Sequence, residues 1–216
     1  MVKISPSVLS ADFGCLKESL KPVKEAEWLH IDVMDGHFAP NITIGPFVVK
    51  ALRNITNQFL DVHLMIENPE KYIEAFADAG SDLITVHAEA CKNLEKIIDM
   101  IRKKGKRVGI SINPKTPVSK IKKLLHKIDV VLVMSVEPGF SGQKFMPKSL
   151  DKVKELKKIK KEKGFDYEIE IDGGISRDNC AEVAKAGADV LVSGSAIFKS
   201  GDPAGEIREF RKRCQI

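Results

Sequence analysis

The sequence predicts an α/β protein, and within that class a (β/α)8 barrel. Three observations carry the prediction: eight apolar, β-branched runs, helix signals in the gaps between them, and polar residues gathered where the runs end. The runs are 4–9, 28–34, 59–66, 83–86, 108–112, 130–136, 167–171 and 190–192. Their starts fall 22 to 37 residues apart, which leaves each gap room for a helix and two loops. Strands that alternate with helices pair in parallel, because every return needs a crossover. Eight such units in 216 residues suit a closed TIM barrel forming a single domain over 1–216. An open doubly wound sheet is the other arrangement with this rhythm. No Gly-x-Gly-x-x-Gly follows the first run, which argues against a dinucleotide site.

Taken in order, the elements read as follows. Pro22 lies inside the first helix pattern and predicts a break there. The second run reads Trp28-Leu-His-Ile-Asp-Val-Met34, and alternation puts His30, Asp32 and Met34 on one face. The third, Phe59-Leu-Asp-Val-His-Leu-Met65, puts His63 and Met65 together, with Asp61 nearer the middle. Asn68-Pro69, Thr116-Pro117 and Asp202-Pro203 read as helix caps followed by a first-turn proline. Leu94, Ile97, Ile98 and Ile101 form a helical stripe that stops before Gly105. An internal echo links 77–86 with 184–193: each reads helix end, glycine turn, strand. The seventh run ends Glu170-Ile-Asp-Gly-Gly174, where Glu170 shares the parity of Asp172 and reads as an inward structural charge. Ser176 follows as a helix cap, and the eighth run ends Ser193-Gly-Ser-Ala196.

Composition narrows the function classes. Hydrophobic residues make up 43% and charged residues 30%, so the chain is neither disordered nor a membrane span. The net charge of +5 is too small to argue for nucleic acid. The lysines at 154, 157, 158, 160, 161 and 163 interleave with Leu150, Val153, Leu156 and Ile159, which predicts a solvated helix face over a buried stripe. Four scattered cysteines without a CxxC suit reduced thiols in a cytoplasmic protein. The first ten residues carry no signal-peptide pattern.

In a parallel barrel the carboxyl ends of the strands form the active face. His30, Asp32, His63 and Asp172 would converge there, as mixed nitrogen and oxygen ligands for one divalent cation. Two buried carboxylates at one end need such a counter-charge. Gly173 and Gly174 after run seven, with Gly194 and Ser195 after run eight, let backbone N–H groups approach an anion. Long loops at 36–46 and 137–147 are placed to close over a ligand.

Across nearly the whole chain the sequence resembles the ribulose-phosphate 3-epimerase family. The motifs that carry the resemblance are Ile4-Ser-Pro-Ser-Val-Leu-Ser-Ala-Asp-Phe13, His30-Ile-Asp-Val-Met-Asp-Gly-His-Phe38, Pro40-Asn-Ile-Thr-Ile-Gly-Pro46, Asp61-Val-His-Leu-Met65, Val136-Glu-Pro-Gly-Phe140, Asp172-Gly-Gly-Ile175 and Ser193-Gly-Ser-Ala-Ile-Phe198. The resemblance implies a ribulose-phosphate-binding barrel, an isomerase of the pentose phosphate pathway. It implies one divalent metal, zinc or iron(II) first and manganese or cobalt next, on His30, Asp32, His63 and Asp172. It makes Asp32 and Asp172 the proton-transfer pair that epimerises carbon 3 of D-ribulose 5-phosphate or D-xylulose 5-phosphate through an enediolate. It places Ser7 and His63 on the sugar, and Asp172, Gly173, Gly174, Gly194 and Ser195 with Gly139, Phe140, Ser141 and Gly142 around the phosphorylated substrate. Met34, Met65 and Met134 line the pocket, and a homo-oligomer is expected. A ketohexose 6-phosphate such as allulose 6-phosphate is the alternative substrate. The family's Gly-Phe-Gly-Gly loop reads Gly139-Phe-Ser-Gly142 here, so Ser141 is either strained or turned to the phosphate. The usual Gly-Ala-Asp before the second strand reads Glu25-Ala-Glu27.

Overall fold

Each strand carries aliphatic residues on its outward face, so each needs a helix or turn over it and a closed ring beneath it. The computed structural model describes residues 2–215 and has that form. Eight strands, β1 (Lys3–Pro6), β2 (Trp28–Met34), β3 (Phe59–Met65), β4 (Leu83–His87), β5 (Arg107–Ile112), β6 (Val130–Met134), β7 (Glu168–Asp172) and β8 (Val190–Ser193), form one parallel sheet. Its order, β1-β8-β7-β6-β5-β4-β3-β2, runs around a barrel, and a parallel bridge between Ser7 and His30 closes the seam. The helices are α1 (Leu16–Leu20), α2 (Pro46–Ile55), α3 (Ile73–Asp78), α4 (Leu94–Lys103), α5 (Ser149–Lys163), α6 (Cys180–Ala186), α7 (Ser195–Phe198) and α8 (Pro203–Arg213).

The main core lies between strands and helices. Leu29, Ile31 and Val33 of β2, Leu60, Val62 and Leu64 of β3, and Ile169 and Ile171 of β7 pack outward into it. The inward faces are different. They carry Trp28, Leu83, Val130 and Val190 at the amino-terminal end, and polar groups above them. Register aligns these groups: His30 pairs with Asp61, Asp32 with His63 and Met34 with Met65.

A fourfold device closes the amino-terminal end. The N–H of Ile4 donates to Glu27 (3.0 Å), Leu60 to Asp82 (2.7 Å), Val108 to Asp129 (2.7 Å) and Ile169 to Asp189 (2.9 Å). Each odd-numbered strand is thus held by an acid that precedes the next strand. Each acid also meets a cation, namely Arg211, Arg53, Arg102 and Lys160 in the same order. Glu27 fills the position where the other three units have aspartate, which accounts for the last residue of Glu25-Ala-Glu27; nothing in the structure explains Glu25.

Several local expectations hold. The first helix breaks at Pro22 into a 3-10 turn, Lys21–Val23. Asp202 caps α8 by accepting from the N–H of Gly205. Ile97, Ile98 and Ile101 are buried in α4, and Gly105 beyond it takes φ 68°. Leu150, Val153, Leu156 and Ile159 are buried under the lysines of α5. The echoed segments both turn through a positive-φ glycine, Gly80 at 107° and Gly187 at 122°.

Two cap expectations fail. Asn68 adopts the left-handed conformation (φ 49°) and caps nothing with its side chain; a 3-10 turn, Pro69–Lys71, comes before α3. Asparagine tolerates that conformation better than most residues, so the turn wins over the cap. Thr116-Pro117 opens no α-helix. The β5–β6 crossover is two 3-10 segments, Val118–Lys120 and Lys122–Lys127. Lys120, Lys122, Lys123 and Lys127 crowd this segment with no acid among them to form i,i+4 pairs. Ser176 does cap the turn that leads into α6: its Oγ accepts from the N–H of Asp178 (3.3 Å) and its carbonyl from the N–H of Cys180 (3.0 Å). The Asn179 amide folds back to accept from Ser176 N–H (2.9 Å) and donate to Gly174 O (2.9 Å). Among the described residues no helix is long and apolar enough to cross a membrane.

Candidate active site and metal centre

At the carboxyl ends of the strands lies a cavity of about 230 Å3. Its lining includes Ser7, Asp32, Met34, Met65, Met134, Asp172, Gly173, Gly174, Gly194 and Ser195, with residues 139–142 along one side. His30 and His63 are completely buried beneath it. The inward parity of β2, β3 and β7 brings the four candidate ligands into one cluster. Donor atoms of His30, Asp32, His63 and Asp172 all lie within 4.8 Å of one another. His30 Nε2 is 3.2 Å from His63 Nδ1, 3.4 Å from Asp32 Oδ1 and 3.9 Å from Asp172 Oδ2. His63 Nδ1 is 3.7 Å from Asp32 Oδ1. Ligands about 2.1 Å from a tetrahedral centre stand roughly 3.4 Å apart. The donor set therefore fits a divalent metal.

The surroundings orient these groups. His30 Nδ1 faces Asp61 Oδ2 at 2.5 Å and Glu170 Oε1 at 3.7 Å, so Nε2 is the atom offered to the cluster. Glu170 does point inward, with His30 as its nearest cationic group, but neither of its oxygens has a hydrogen-bond partner among the described residues. Ser7 Oγ donates to Asp32 Oδ2 at 2.6 Å across the barrel seam. Ser135 Oγ donates to the carbonyls of Asp172 (2.8 Å) and Gly173 (2.7 Å), tying β6 to the end of β7.

Burial and charge then divide the protonation states. Burial opposes a charge on His30, but Asp61 and Asp32 outweigh it and hold its pKa well above the usual imidazole value. Burial pushes His63 down to about 4. Burial alone would raise Asp32, yet His30 and His63 keep it far below the ordinary carboxylate range. Burial, then the neighbouring Asp32, push Asp172 up to about 7. Glu170 rises well above its ordinary value because it is buried and faces Asp61.

At the other end of the cavity, backbone fills the space that a side chain at 173 or 174 would need. Gly173 (φ 123°) and Gly174 (φ 66°) have left-handed backbones. A Cβ on Gly174 would stand 2.5 Å from the Phe145 nitrogen, and one on Gly194 would stand 2.7 Å from Ser10 Oγ. Phe145 and Gln143 thus set the 137–147 loop against the turn after β7, and Gly142 faces Ser195 after β8. Asn41 Nδ2 donates to Gly139 O at 2.8 Å and joins that loop to the 36–46 loop. Gln143 braces it from within, donating to the carbonyls of Glu137 and Phe140. Among the described residues Asn68 is the one non-glycine residue with positive φ, so Ser141 is not strained.

Sequence reasoning passed over His87, which ends β4 and is completely buried. Its Nε2 lies 2.8 Å from His63 Nε2. The signal was there: Thr85 and His87 share the parity of Leu83, the inward face of β4. Asn41, Ser135 and Gln143 were also passed over, because loop contacts leave no periodic trace.

A parallel eight-stranded barrel with paired acids and imidazoles at the carboxyl ends of its strands belongs to the (β/α)8 class of enzymes. Solved structures agree on the fold. The 3-hexulose-6-phosphate synthase of Salmonella typhimurium superposes with a TM-score of 0.76 at 20% identity, covering 99% of this chain and 98% of that one. The KGPDC structure from Streptococcus mutans gives 0.75 at 15%, covering 100% and 98%. Sequence goes further. The pattern of the ribulose-phosphate 3 epimerase family matches residues 3–198, and this chain belongs to that family. The ribulose-phosphate 3-epimerase of Bacillus subtilis is 50% identical over 98% of this chain and 99% of its own length. That of Escherichia coli K12 is 45% identical over 96% and 94%. The chloroplastic ribulose-5-phosphate-3-epimerase of Arabidopsis thaliana is 46% identical over 95% and 74%.

Proposed function

We propose that this isomerase interconverts D-ribulose 5-phosphate and D-xylulose 5-phosphate, as a step of the pentose phosphate pathway, with residues 1–216 acting as one catalytic unit. The observation that carries the reading is the convergence of Asp32 and Asp172, from β2 and β7, on one donor cluster. Inverting carbon 3 means taking a proton from one face and returning one to the other. One base cannot easily reach both faces, and two acids from different walls of the barrel can. Their environments push their protonation apart, the pattern of an acid–base pair. Ser7 holds Asp32 in place through its hydroxyl.

The reading gives His30, Asp32, His63 and Asp172 the role of metal ligands. A divalent cation there, zinc or iron(II) first and manganese or cobalt next, would supply Lewis-acid stabilisation of the negative charge on the enediolate. Gly173, Gly174, Gly194 and Ser195 would hold the phosphate with their N–H groups, while Gly139, Phe140, Ser141 and Gly142 cover it. Remote binding of that phosphate fixes the sugar for proton transfer. Met34, Met65 and Met134 supply a soft apolar wall that excludes water.

A homo-oligomer in the cytoplasm completes the reading. Ile42 and Phe47 are more than three-quarters exposed and offer an apolar contact surface, and the four cysteines are free thiols.

The test is an assay of the chelator-stripped and metal-reloaded protein on ribulose 5-phosphate, with allulose 6-phosphate in parallel. Activity should vanish on stripping, return on reloading, and favour the pentulose in kcat/KM. Preference for the hexulose, or full activity after stripping, overturns the reading.

A further inference from the structure

A chain of hydrogen bonds leads from the metal cluster towards β4 and has no part in the chemistry described so far. His63 Nε2 lies 2.8 Å from His87 Nε2, and His87 Nδ1 lies 3.3 Å from Glu89 Oε2. The two ring planes are within 22° of parallel with centroids 4.9 Å apart, so the rings meet edge to edge. Both imidazoles are completely buried, so neither nitrogen can find water instead.

Two imidazole nitrogens 2.8 Å apart share one proton, and the far end of the chain decides which ring carries it. Glu89 has both oxygens engaged: Oε1 accepts from the N–H of Asn113 at 2.9 Å, and Oε2 faces His87. A carboxylate only accepts, so His87 Nδ1 must carry the hydrogen. A neutral His87 is then bare at Nε2 and accepts from His63 Nε2–H. A neutral His63 is in turn bare at Nδ1, the atom that faces His30 and Asp32.

We propose that His87 and Glu89 are positioning residues that lock His63 in the Nε2–H tautomer and so present its Nδ1 lone pair to a divalent cation. The inference rests on the reading of His63 as a metal ligand. Partners of this kind on a metal-bound imidazole typically carry a 10- to 100-fold effect on metal affinity.

The experiment measures the dissociation constant of Zn2+ by chelator competition for the wild type, Glu89→Gln, His87→Leu and His87→Gln, without substrate. In Glu89→Gln one oxygen becomes an NH2 group, so either Asn113 or His87 faces a donor. In His87→Leu the His63 N–H is left unpaired. In His87→Gln the side-chain oxygen can still accept it. Affinity should fall roughly 10- to 100-fold in the first two variants and stay within a few-fold of wild type in His87→Gln. Activity of Glu89→Gln should recover at saturating metal. Unchanged affinity in both Glu89→Gln and His87→Leu overturns the inference. So does an equal loss in all three variants, because packing rather than the proton would then carry the effect. Wild-type protein that binds zinc but does not epimerise refutes the functional reading and leaves the tautomer lock standing. Active wild type with unaffected variants does the reverse.

Discussion

Asp32 and Asp172 reach the same cluster from strands three places apart around the ring, and their pKa values move in opposite directions. Asp32 is held far below the ordinary range by His30 and His63. Asp172 is lifted to about 7 by burial and by Asp32. Like charges this close in a dry site cannot both ionise without a cation between them. The pair is therefore both a demand for positive charge and a ready acid and base.

Asparagine at either position should abolish epimerisation, because an amide cannot cycle a proton. Asp32→Asn and Asp172→Asn should each lower kcat by at least about 10^2 to 10^4, the usual span for general acid–base catalysis. Wild-type protein in deuterated water should place solvent deuterium at carbon 3 of the product. A product without label would refute the two-base mechanism.

Metal binding should release protons. In the metal-free protein His30 and Asp172 hold protons at pH 6, since both pKa values are raised. Ligation requires them to leave, so affinity should strengthen as pH rises through about 7, where Asp172 ionises, and further as His30 gives up its proton. Calorimetry in two buffers of different ionisation enthalpy measures the release; none at pH 6 would contradict the assignment.

The same shift has a stability consequence. The Asp172 pKa is raised in the folded state, so its contribution is fully present below the ordinary value of 3.8 and is lost as pH climbs to about 7. Asp172 should therefore subtract from the stability of the metal-free protein across that window, against the opposite contribution of His63, whose pKa burial lowers to about 4. Asp172→Asn, which cannot ionise, should flatten the slope and raise the metal-free Tm at pH 8 relative to wild type. Thermal melts in chelator at pH 5 and pH 8 check this.

The amino-terminal end should affect stability and not catalysis. Glu27 accepts the Ile4 N–H and pairs with Arg211, far from the cavity. Glu27→Ala leaves a strand N–H without its partner, at a cost of about 1–3 kcal/mol. With about 2–4 °C per kcal/mol for a chain of this size, Tm should fall by several degrees while kcat and KM hold. A change in kcat with an intact Tm would mean that this end communicates with the site.

Much of this was legible because strand side chains alternate. Parity alone puts His30 with Asp32, and Asp61 with His63, inside the barrel. Parity does not say how far one strand slides past the next. The pairing of Asp32 with His63, and the contact of His63 with His87, depend on that register. His87 was missed for this reason, and because the fourth apolar run stops one residue before it. The failed caps share another cause. Asn68 takes a left-handed turn and Thr116 leads into a 3-10 segment, and a sequence pattern does not rank such local turns against a cap. Glu27 was read as a departure because its longer side chain hides an equivalence that appears only beside Asp82, Asp129 and Asp189.

Ser141 is where the chain leaves its family's glycine pattern inside the cavity, and the structure decides between its two readings. A serine forced into the left-handed region would be strained, and glycine would relieve it. Ser141 does not have positive φ, whereas Gly139 (147°) and Gly142 (79°) beside it do. The loop takes its turn at the glycines and leaves Ser141 an ordinary backbone at the cavity wall. Glycine at 141 should therefore not raise Tm; the added chain entropy should lower it slightly. If the hydroxyl donates to the substrate phosphate, its loss removes a hydrogen bond to a charged group, worth about 1.5–3 kcal/mol. That bond exists in ground state and transition state alike, so KM should rise about tenfold or more with kcat little changed. Steady-state kinetics and a melting curve on Ser141→Gly measure both quantities. An unchanged KM would mean that the hydroxyl faces solvent, and a raised Tm would mean that the loop is strained at 141 after all.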